Sequence, residues 1–242
     1  MFHMATRLVH NMNSRGAYPG TQAVLRAIEK HHRDLEDFFL DAFTALNVNG
    51  ISGDYVEFGS EGGTTLRTAH EVLAGTVVPR HLWAFDSFAG LPEPQSSLDV
   101  HPAFSPGFDS GGHERFLATC DANGIPRTAY TTVPGYFDDT LPAIGTGAPA
   151  DIALAYVDCN MHSSTVTVLE FLLPRLKHGM ILAFDDYYCW SATEVSGERA
   201  AFDQLYVDLP QWNFLRFKDP TWGGVSFVVE HVGPEAPRRR PS

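Results

Sequence analysis

The chain has 242 residues, 44% of them hydrophobic, which is enough to build one α/β domain with additions. Its 17 basic and 29 acidic residues give a formal net charge of −12, which argues against nucleic acid and anionic membranes as partners. The sequence has no apolar run of the roughly 18 residues that span a membrane, and we expect no signal peptide. Its three scattered cysteines suit neither a disulfide framework nor a zinc cluster. We therefore predict a cytoplasmic protein.

The first 50 residues are predicted to form an N-terminal helical extension. Residues 1–20 have no strong pattern, whereas residues 21–46 repeat apolar side chains with the period of a helix, among them Ile28, Leu35 and Phe38. Such a helix packs beside the main sheet or contributes to a subunit contact. We therefore expect a homo-oligomer, a dimer or larger.

A strand, a glycine-rich turn and a helix follow, at residues 55–58, 59–63 and 64–73. Glycine lets a backbone approach a ligand closely, so this order is typical of nucleotide-binding proteins. The glycine spacing matches neither the dinucleotide-binding pattern nor the phosphate-binding P-loop, and many α/β proteins turn tightly here without binding a nucleotide. Glu57, the acid before the turn, favours a ligand with a cationic group over one with phosphates.

The second strand is predicted at residues 82–85 and also ends in an acid, Asp86. An acid at this place commonly binds the two ribose hydroxyls of a nucleoside. The next stretch, residues 87–112, is rich in proline, glycine and serine and has no period. A loop this long is typically a lid, a binding loop or disordered, and we predict a mobile lid over the substrate site.

Residues 151–187 are predicted to form a strand–helix–strand unit with two parallel strands, at residues 152–157 and 180–184. Apolar residues between the strands recur with helical spacing. Ser163 or Ser164 is the predicted N-cap of this helix, and Gly179 is predicted at its C′ position.

Both strands of this unit end in acids, Asp158 after the first and Asp185 and Asp186 after the second. The carboxyl ends of parallel strands meet at one edge of a sheet, so the three carboxylates are expected to lie close together. A divalent cation would relieve their repulsion, and oxygen ligands favour a hard ion such as Mg²⁺. The other interpretation is that these acids are solvated loop residues or helix caps.

The remaining predicted elements complete one sheet and its helices. Helices are expected at residues 113–122, within 134–144, and at 197–207, and strands at 128–133, 213–217 and 225–229. The last two strands form a hairpin-like pair, which an otherwise parallel sheet can carry at one edge. Residues 233–242, rich in proline and arginine, are predicted to be a disordered tail.

Five segments between residues 54 and 190 add a more specific signal: VEFGSEGGTT, AFDSFAGLPEP, PGYFDDTLP, LAYVDCNMHSST and ILAFDDYY. In the same order they resemble the macrocin O-methyltransferase family, the TylF/MycF-type class I methyltransferases that modify sugars of natural products. The DSFAGLP match is the most telling, because nothing in the general fold requires it.

The resemblance implies an α/β, Rossmann-like, seven-stranded and mostly parallel sheet with helices on both faces and an antiparallel edge strand. The implied methyltransferase domain covers residues 51–232. It would bind S-adenosylmethionine through Glu57, Gly59, Ser60, Gly63, Thr64, Asp86 and Ser87. It would bind Mg²⁺ through Asp158, Asp185 and Asp186.

The chain departs from the family where the usual pattern D-x-D-x-Y reads Asp158-Cys159-Asn160-Met161-His162. The second acid of the family pattern resembles a general base, and the amide of Asn160 cannot accept the proton. Either His162 has taken over this role, since an imidazole takes up protons near neutral pH, or the acceptor is acidic enough to need only the metal, or methyl transfer has been lost. Packing or capping is the plainer role for such a histidine. Our hypothesis is that His162 assists deprotonation beside Asp158 and Asn160.

The predicted function is an S-adenosylmethionine- and Mg²⁺-dependent O-methyltransferase that acts on a sugar hydroxyl of a secondary metabolite, so its partner is a small glycosylated molecule. One alternative is an O-methyltransferase of a phenol or catechol. A second is a non-methylating enzyme that uses bound S-adenosylmethionine to promote a rearrangement or cyclisation, and a third is a catalytically silent binding or assembly subunit.

Overall fold

The computed structural model describes residues 21–108, 110–145 and 148–233. Its strands are β1 (Asp54–Phe58), β2 (Leu82–Asp86), β3 (Tyr130–Pro134), β4 (Ile152–Val157), β5 (Ile181–Phe184), β6 (Trp212–Arg216) and β7 (Val225–His231). They form one seven-stranded sheet in the order β3-β2-β1-β4-β5-β7-β6. Strands β1 to β5 pair in parallel, and β7 is antiparallel to both β5 and β6. The predicted parallel sheet with antiparallel pairing at one edge is confirmed.

Within the part of the chain that the structure describes, three helices pack on each face of the sheet. The helices α1 (Thr21–Val48), α2 (Thr64–Ala74) and α3 (His113–Ala122) cover one face, and α4 (Phe137–Ile144), α5 (His162–Leu172) and α6 (Gly197–Leu205) cover the other. Because strand side chains alternate, Tyr55 packs under the first set and Val56 under the second. The long helix α1 thus packs against the sheet, with the rings of Phe38 and Tyr156 centred 6.2 Å apart. None of the described helices is long and apolar enough to cross a membrane.

The register of the central strands brings their carboxyl ends to one level. Phe58 pairs with Val157, and Val157 pairs with Phe184. Because the strands are parallel, the residues that follow each of these positions emerge at the same edge of the sheet. The glycine-rich turn and the acids after β4 and β5 are therefore neighbours in space.

The predicted serine N-cap of α5 is wrong. The residue before the helix is Met161, in an extended conformation and without a side-chain capping bond. Ser163 lies in the first turn, where its backbone N–H donates to the carboxylate of Asp99, 2.7 Å away. The cap comes from a residue 64 positions earlier in the chain, so local sequence could not reveal it.

The predicted end of this helix is also wrong. Helix α5 ends at Leu172 and continues as a short 3₁₀ turn, Leu173–Arg175. Pro174 has no N–H to donate to an α-helical ladder, which accounts for the early end. Gly179, with φ +83°, instead lies in the turn before β5.

The loop after β2 is long, as predicted, and it closes on itself. The N–H of Leu91 donates to the carbonyl of Phe108 at 3.0 Å, and the N–H of Gly107 donates to that of Leu91 at 2.9 Å. Within the loop, Asp99 accepts the N–H groups of Gln95 and Ser96 in addition to its bond to α5. Its movement as a lid stays a prediction. The expectations for residues 1–20 and 234–242 lie outside the described residues.

Candidate active site

A cavity of about 310 Å³ lies at the carboxyl ends of β1, β2 and β4, where open parallel sheets bind ligands. The strand ends contribute Gly59, Asp86 and Asp158 to its wall, and the loop after β2 contributes Leu91 and Phe108. The start of α4 adds Tyr136, Phe137, Asp138 and Asp139. Among the described residues, no lysine, arginine or histidine lines the cavity, so the wall favours a neutral or cationic ligand.

Glu57 is fully buried at the end of β1, just before the residues that line the cavity. The hydroxyl of Tyr55 donates to its Oε2 at 2.5 Å, whereas its Oε1 has no hydrogen-bond partner among the described residues. Burial raises the pKa of Glu57 from 4.5 to about 8, although the neighbouring hydroxyls of Tyr55 and Ser60 oppose this shift. A cationic group that reached Oε1 would stabilise the ionised form.

The turn after β1 is shaped for a close backbone approach. Gly59 has φ +95°, and a Cβ atom there would lie 1.9 Å from the carbonyl oxygen of Asp158. Any other residue would push β1 and β4 apart. Gly63 and Thr64, at the start of α2, do not line the cavity. Ser60 follows Gly59 in the turn, and its buried Oγ has no hydrogen-bond partner among the described residues.

Asp86 lines the cavity and also holds the turn in place. Its carboxylate accepts the backbone N–H groups of Ser60 at 2.7 Å, Glu61 at 2.8 Å and Phe88 at 2.5 Å. Burial raises the pKa of Asp86, and these three bonds act against that rise. A carboxylate has about four acceptor positions, and these three bonds leave about one for a ribose hydroxyl. Contact with the ribose stays a prediction. The neighbouring Ser87 lines the cavity as well.

The structure brings Asp158, Asp185 and Asp186 together. One carboxylate oxygen from each lies within 4.8 Å of the others, and no more than 9% of any of these residues is exposed. Burial, followed by the charges of Asp185 and Asp186, raises the pKa of Asp158 well above its usual range. Tyr156 orients Asp185, because its hydroxyl donates to Oδ1 at 2.5 Å. Only Asp158 of the three acids also lines the cavity.

Asn160 and His162 occupy different surroundings. Asn160 lines the cavity with φ +61°, a left-handed conformation that asparagine tolerates, and its amide donates to Oδ2 of Asp186. His162 does not line the cavity, and its Nε2 lies 2.9 Å from Oε1 of Gln204. Action of His162 as a base would require its imidazole to reach the cavity, and that role stays a prediction.

Glu198, which is fully buried in the first turn of α6, was not predicted from the sequence as part of the site. Its Oε1 accepts the N–H groups of Cys159 at 3.0 Å and Asn160 at 3.4 Å, and its Oε2 accepts that of Asp186 at 2.9 Å. An acid at a helix start is ordinarily solvent-exposed, so the sequence offers no signal for this burial.

Two tyrosines that donate hydrogen bonds to acids of the site, Tyr55 and Tyr156, were not predicted either. Tyr55 lies two residues before Glu57 on β1, so the two side chains share a face of the sheet. Tyr156 lies two residues before Asp158 but donates to Asp185 of the neighbouring strand. The period of a strand could have predicted the first contact, whereas the second depends on the register between β4 and β5.

The fold and this edge define the class, a Rossmann-like α/β protein with a ligand cavity and an acid cluster at the carboxyl ends of its strands. Within this class, the Macrocin-O-methyltransferase (TylF) family matches residues 31–203. The protein belongs to the macrocin O-methyltransferase family, which confirms the resemblance found in the sequence.

Named relatives agree with this assignment. The chain is 33% identical over 147 residues to the 8-demethyl-8-(2,3-dimethoxy-alpha-L-rhamnosyl)-tetracenomycin-C 4′-O-methyltransferase of Streptomyces olivaceus, covering 57% of this chain and 54% of the relative. It is 28% identical over 148 residues to the mycinamicin III 3″-O-methyltransferase of Micromonospora griseorubida, covering 57% of each. The chain thus spans about half the length of these curated relatives.

A solved structure with the same fold is that of the calicheamicin methyltransferase CalS11. The two share a TM-score of 0.66 over 92% of this chain and 91% of that chain, at 22% sequence identity. At this identity the likeness shows the fold alone.

Proposed function

We propose that the protein is an S-adenosylmethionine- and Mg²⁺-dependent O-methyltransferase that acts on a sugar hydroxyl of a natural-product glycoside. The family and the names of the relatives support the reaction type and the substrate class. The observation that carries the proposal is that Asp158 belongs both to the acid cluster and to the wall of the cavity. A cation held by the cluster would therefore stand beside whatever the cavity binds.

The residues present fit S-adenosylmethionine. Oε1 of the buried Glu57 has no hydrogen-bond partner among the described residues, and an ammonium group is the kind of donor that it lacks. Gly59 lines the cavity, and among the described residues the wall has no basic side chain that would repel a sulfonium. When bound, this cofactor supplies the methyl group.

The acid cluster fits Mg²⁺, because Asp158, Asp185 and Asp186 offer only oxygen atoms. When bound, the ion would lower the pKa of a sugar hydroxyl and orient it. Tyr156 and Asn160 hold the carboxylates of Asp185 and Asp186 in place by donating hydrogen bonds to them. The aromatic side chains at the start of α4 and the loop after β2 line the cavity that Asp158 and Asn160 also line.

A sugar hydroxyl must lose its proton to a base when it is methylated. Asn160 has no basic atom, which favours a second candidate function, methylation of a phenol or catechol that ionises without a protein base. His162 would serve if its imidazole reached the cavity, which it does not line in this structure. Asp139 already lines the cavity and is the matched comparison. Loss of turnover in His162→Ala but not in Asp139→Asn would assign the base to His162.

The proposal is tested by calorimetric titration with S-adenosylhomocysteine in Mg²⁺ and in excess chelator, followed by titration with Mg²⁺ alone. We expect both ligands to bind, and we expect Asp185→Asn to abolish the Mg²⁺ signal while it keeps the S-adenosylhomocysteine signal. Failure to bind S-adenosylhomocysteine would refute the proposal. With an acceptor, a mass gain of one methyl supports transfer, an isomer supports a rearrangement, and an unchanged mass supports a silent subunit.

A further inference from the structure

We propose that Glu198 is the positioning residue that assembles the acid cluster, by binding the loop after β4 to the loop after β5. The contribution to metal binding rests on the proposed function, whereas the contribution to the shape of the two loops does not. Glu198 does not belong to the converging carboxylates, and both of its oxygens face backbone N–H groups. It therefore acts through the residues that it holds.

The hydrogen-bond ladder between β4 and β5 ends where the acids begin, so it does not fix the two loops beyond that point. The last ladder bond between β4 and β5 is donated by the N–H of Asp185 to the carbonyl of Val157, at 2.9 Å. Beyond it, Oε1 of Glu198 accepts from the loop that carries Asp158, and Oε2 accepts from Asp186 on the other loop. One rigid carboxyl group thus sets the separation of the two loops.

Helix α6 is placed closely enough for this contact because its first residue is Gly197. This residue has φ +61°, and a Cβ atom there would lie 3.0 Å from the carbonyl oxygen of Asn160 and 3.3 Å from that of Cys189. The glycine therefore touches the same two loops that the next residue binds. Glu198 is 0% exposed, so bulk solvent does not compete with its carboxyl group for these N–H groups.

A direct bond between the loops also exists, from the amide of Asn160 to Asp186. It lies at the cavity, which Asn160 lines and Glu198 does not. A ligand that engaged Asp186 would compete with this bond, whereas it would leave the backbone bonds of Glu198 intact. Glu198 is thus the link that persists when the cluster is in use.

The test compares Glu198→Gln with Glu194→Gln, a matched control at an exposed position of the preceding loop. Glutamine keeps one acceptor oxygen, which can bind the N–H groups of one loop. Its NH₂ group faces the N–H of the other loop and cannot accept a hydrogen bond from it. Amide hydrogen exchange of the metal-free proteins is measured first. In Glu198→Gln we expect exchange about tenfold faster at residues 159, 160 and 186, with the turn at 59–63 unchanged. The control should match the wild type.

The second measurement is Mg²⁺ and S-adenosylhomocysteine affinity by calorimetry. We expect Glu198→Gln to bind Mg²⁺ about 10- to 100-fold more weakly, as when the group that orients a ligand is lost, and to bind S-adenosylhomocysteine within about twofold of the wild type. Turnover should recover at high Mg²⁺, which a general loss of folding would not allow.

The outcomes separate this inference from the proposed function. Unchanged exchange in the two loops would overturn the role of Glu198 even if the wild type binds Mg²⁺. A wild type that binds no Mg²⁺ would refute the metal assignment, and hydrogen exchange would still decide the role of Glu198. If Glu198→Gln does not fold, Gly197→Ala pushes α6 away from both loops and should give the same exchange pattern; protection equal to the wild type would overturn the inference.

Discussion

Replacement of Glu57 by glutamine should make the stability of the ligand-free protein depend less on pH, so that the variant gains on the wild type as the pH rises from about 5 to 8. The folded protein keeps a proton on Glu57 up to about pH 8, because burial raises its pKa from 4.5. The unfolded chain releases that proton near the usual pKa. The unfolded state therefore binds fewer protons between these values, and the stability of the wild type falls as the pH rises through this window.

The size of the effect follows from the shift. A rise from 4.5 to about 8 corresponds to roughly 5 kcal/mol at the high-pH limit. Between about pH 5 and pH 8 the wild type should lose roughly 3 to 4 kcal/mol through this one group. A glutamine does not titrate, and Tyr55 can still donate to its oxygen. Its NH₂ group at the unpartnered position costs about 1–3 kcal/mol, which lowers the gain equally at both pH values.

The assay is urea unfolding of the ligand-free wild type and Glu57→Gln at about pH 5 and pH 8. Glu114→Gln, a change at an exposed position on α3, is the control and should show no pH-dependent difference. The same glutamine variant should bind S-adenosylhomocysteine more weakly, because it cannot attract an ammonium group. A stability difference that is the same at both pH values would refute the reasoning, since it would mean that Glu57 is ionised in the folded protein as easily as in the unfolded chain.

Further predictions concern the loop, the turn and the base. Asp99→Ala should cost about 0.5–2 kcal/mol, as for a lost helix cap, and speed hydrogen exchange in residues 87–108; unchanged exchange there would contradict its role as an anchor. Gly59→Ala should destabilise the protein by more than roughly 2 kcal/mol in urea unfolding, because its Cβ would meet the carbonyl of Asp158; a variant of wild-type stability would show that the strands can part freely. His162→Ala should lower turnover about 100-fold if it is the base, and full turnover between about pH 6 and 9 would remove it from the mechanism.

The strands and their terminal acids could be predicted because each depends on local information. The apolar run at residues 152–157 matches β4 residue for residue, and the acid after it must follow the strand to its carboxyl end. Adjacent parallel strands then bring Asp158 and Asp185 together without any knowledge of loop conformation.

The contacts that hold these acids depend on distant parts of the chain. Glu198 reaches Cys159 across 39 positions and Asp99 reaches Ser163 across 64, and neither contact has a spacing that a helix or strand would repeat. Both are carboxylates bound to backbone N–H groups, so even a search for complementary charges would not pair them. Such contacts become visible only when the packing of α6 and the path of the long loop are known.

Asn160, which stands where the family pattern has an acid, stabilises the acid cluster through its side-chain amide. A carboxylate at this position would face Asp186 and stand close to Asp158, whereas the amide donates a hydrogen bond to Asp186 and adds no charge. Asn160→Asp should therefore lower the free energy of unfolding of the metal-free protein by about 1–3 kcal/mol, the usual cost of losing a bond to a charged group. Mg²⁺ should raise the free energy of unfolding of the variant by more than it raises that of the wild type, because it would neutralise a fourth carboxylate. Urea unfolding with Mg²⁺ and with chelator measures both effects, and a variant as stable as the wild type in chelator would show that the amide is not needed to hold the cluster together.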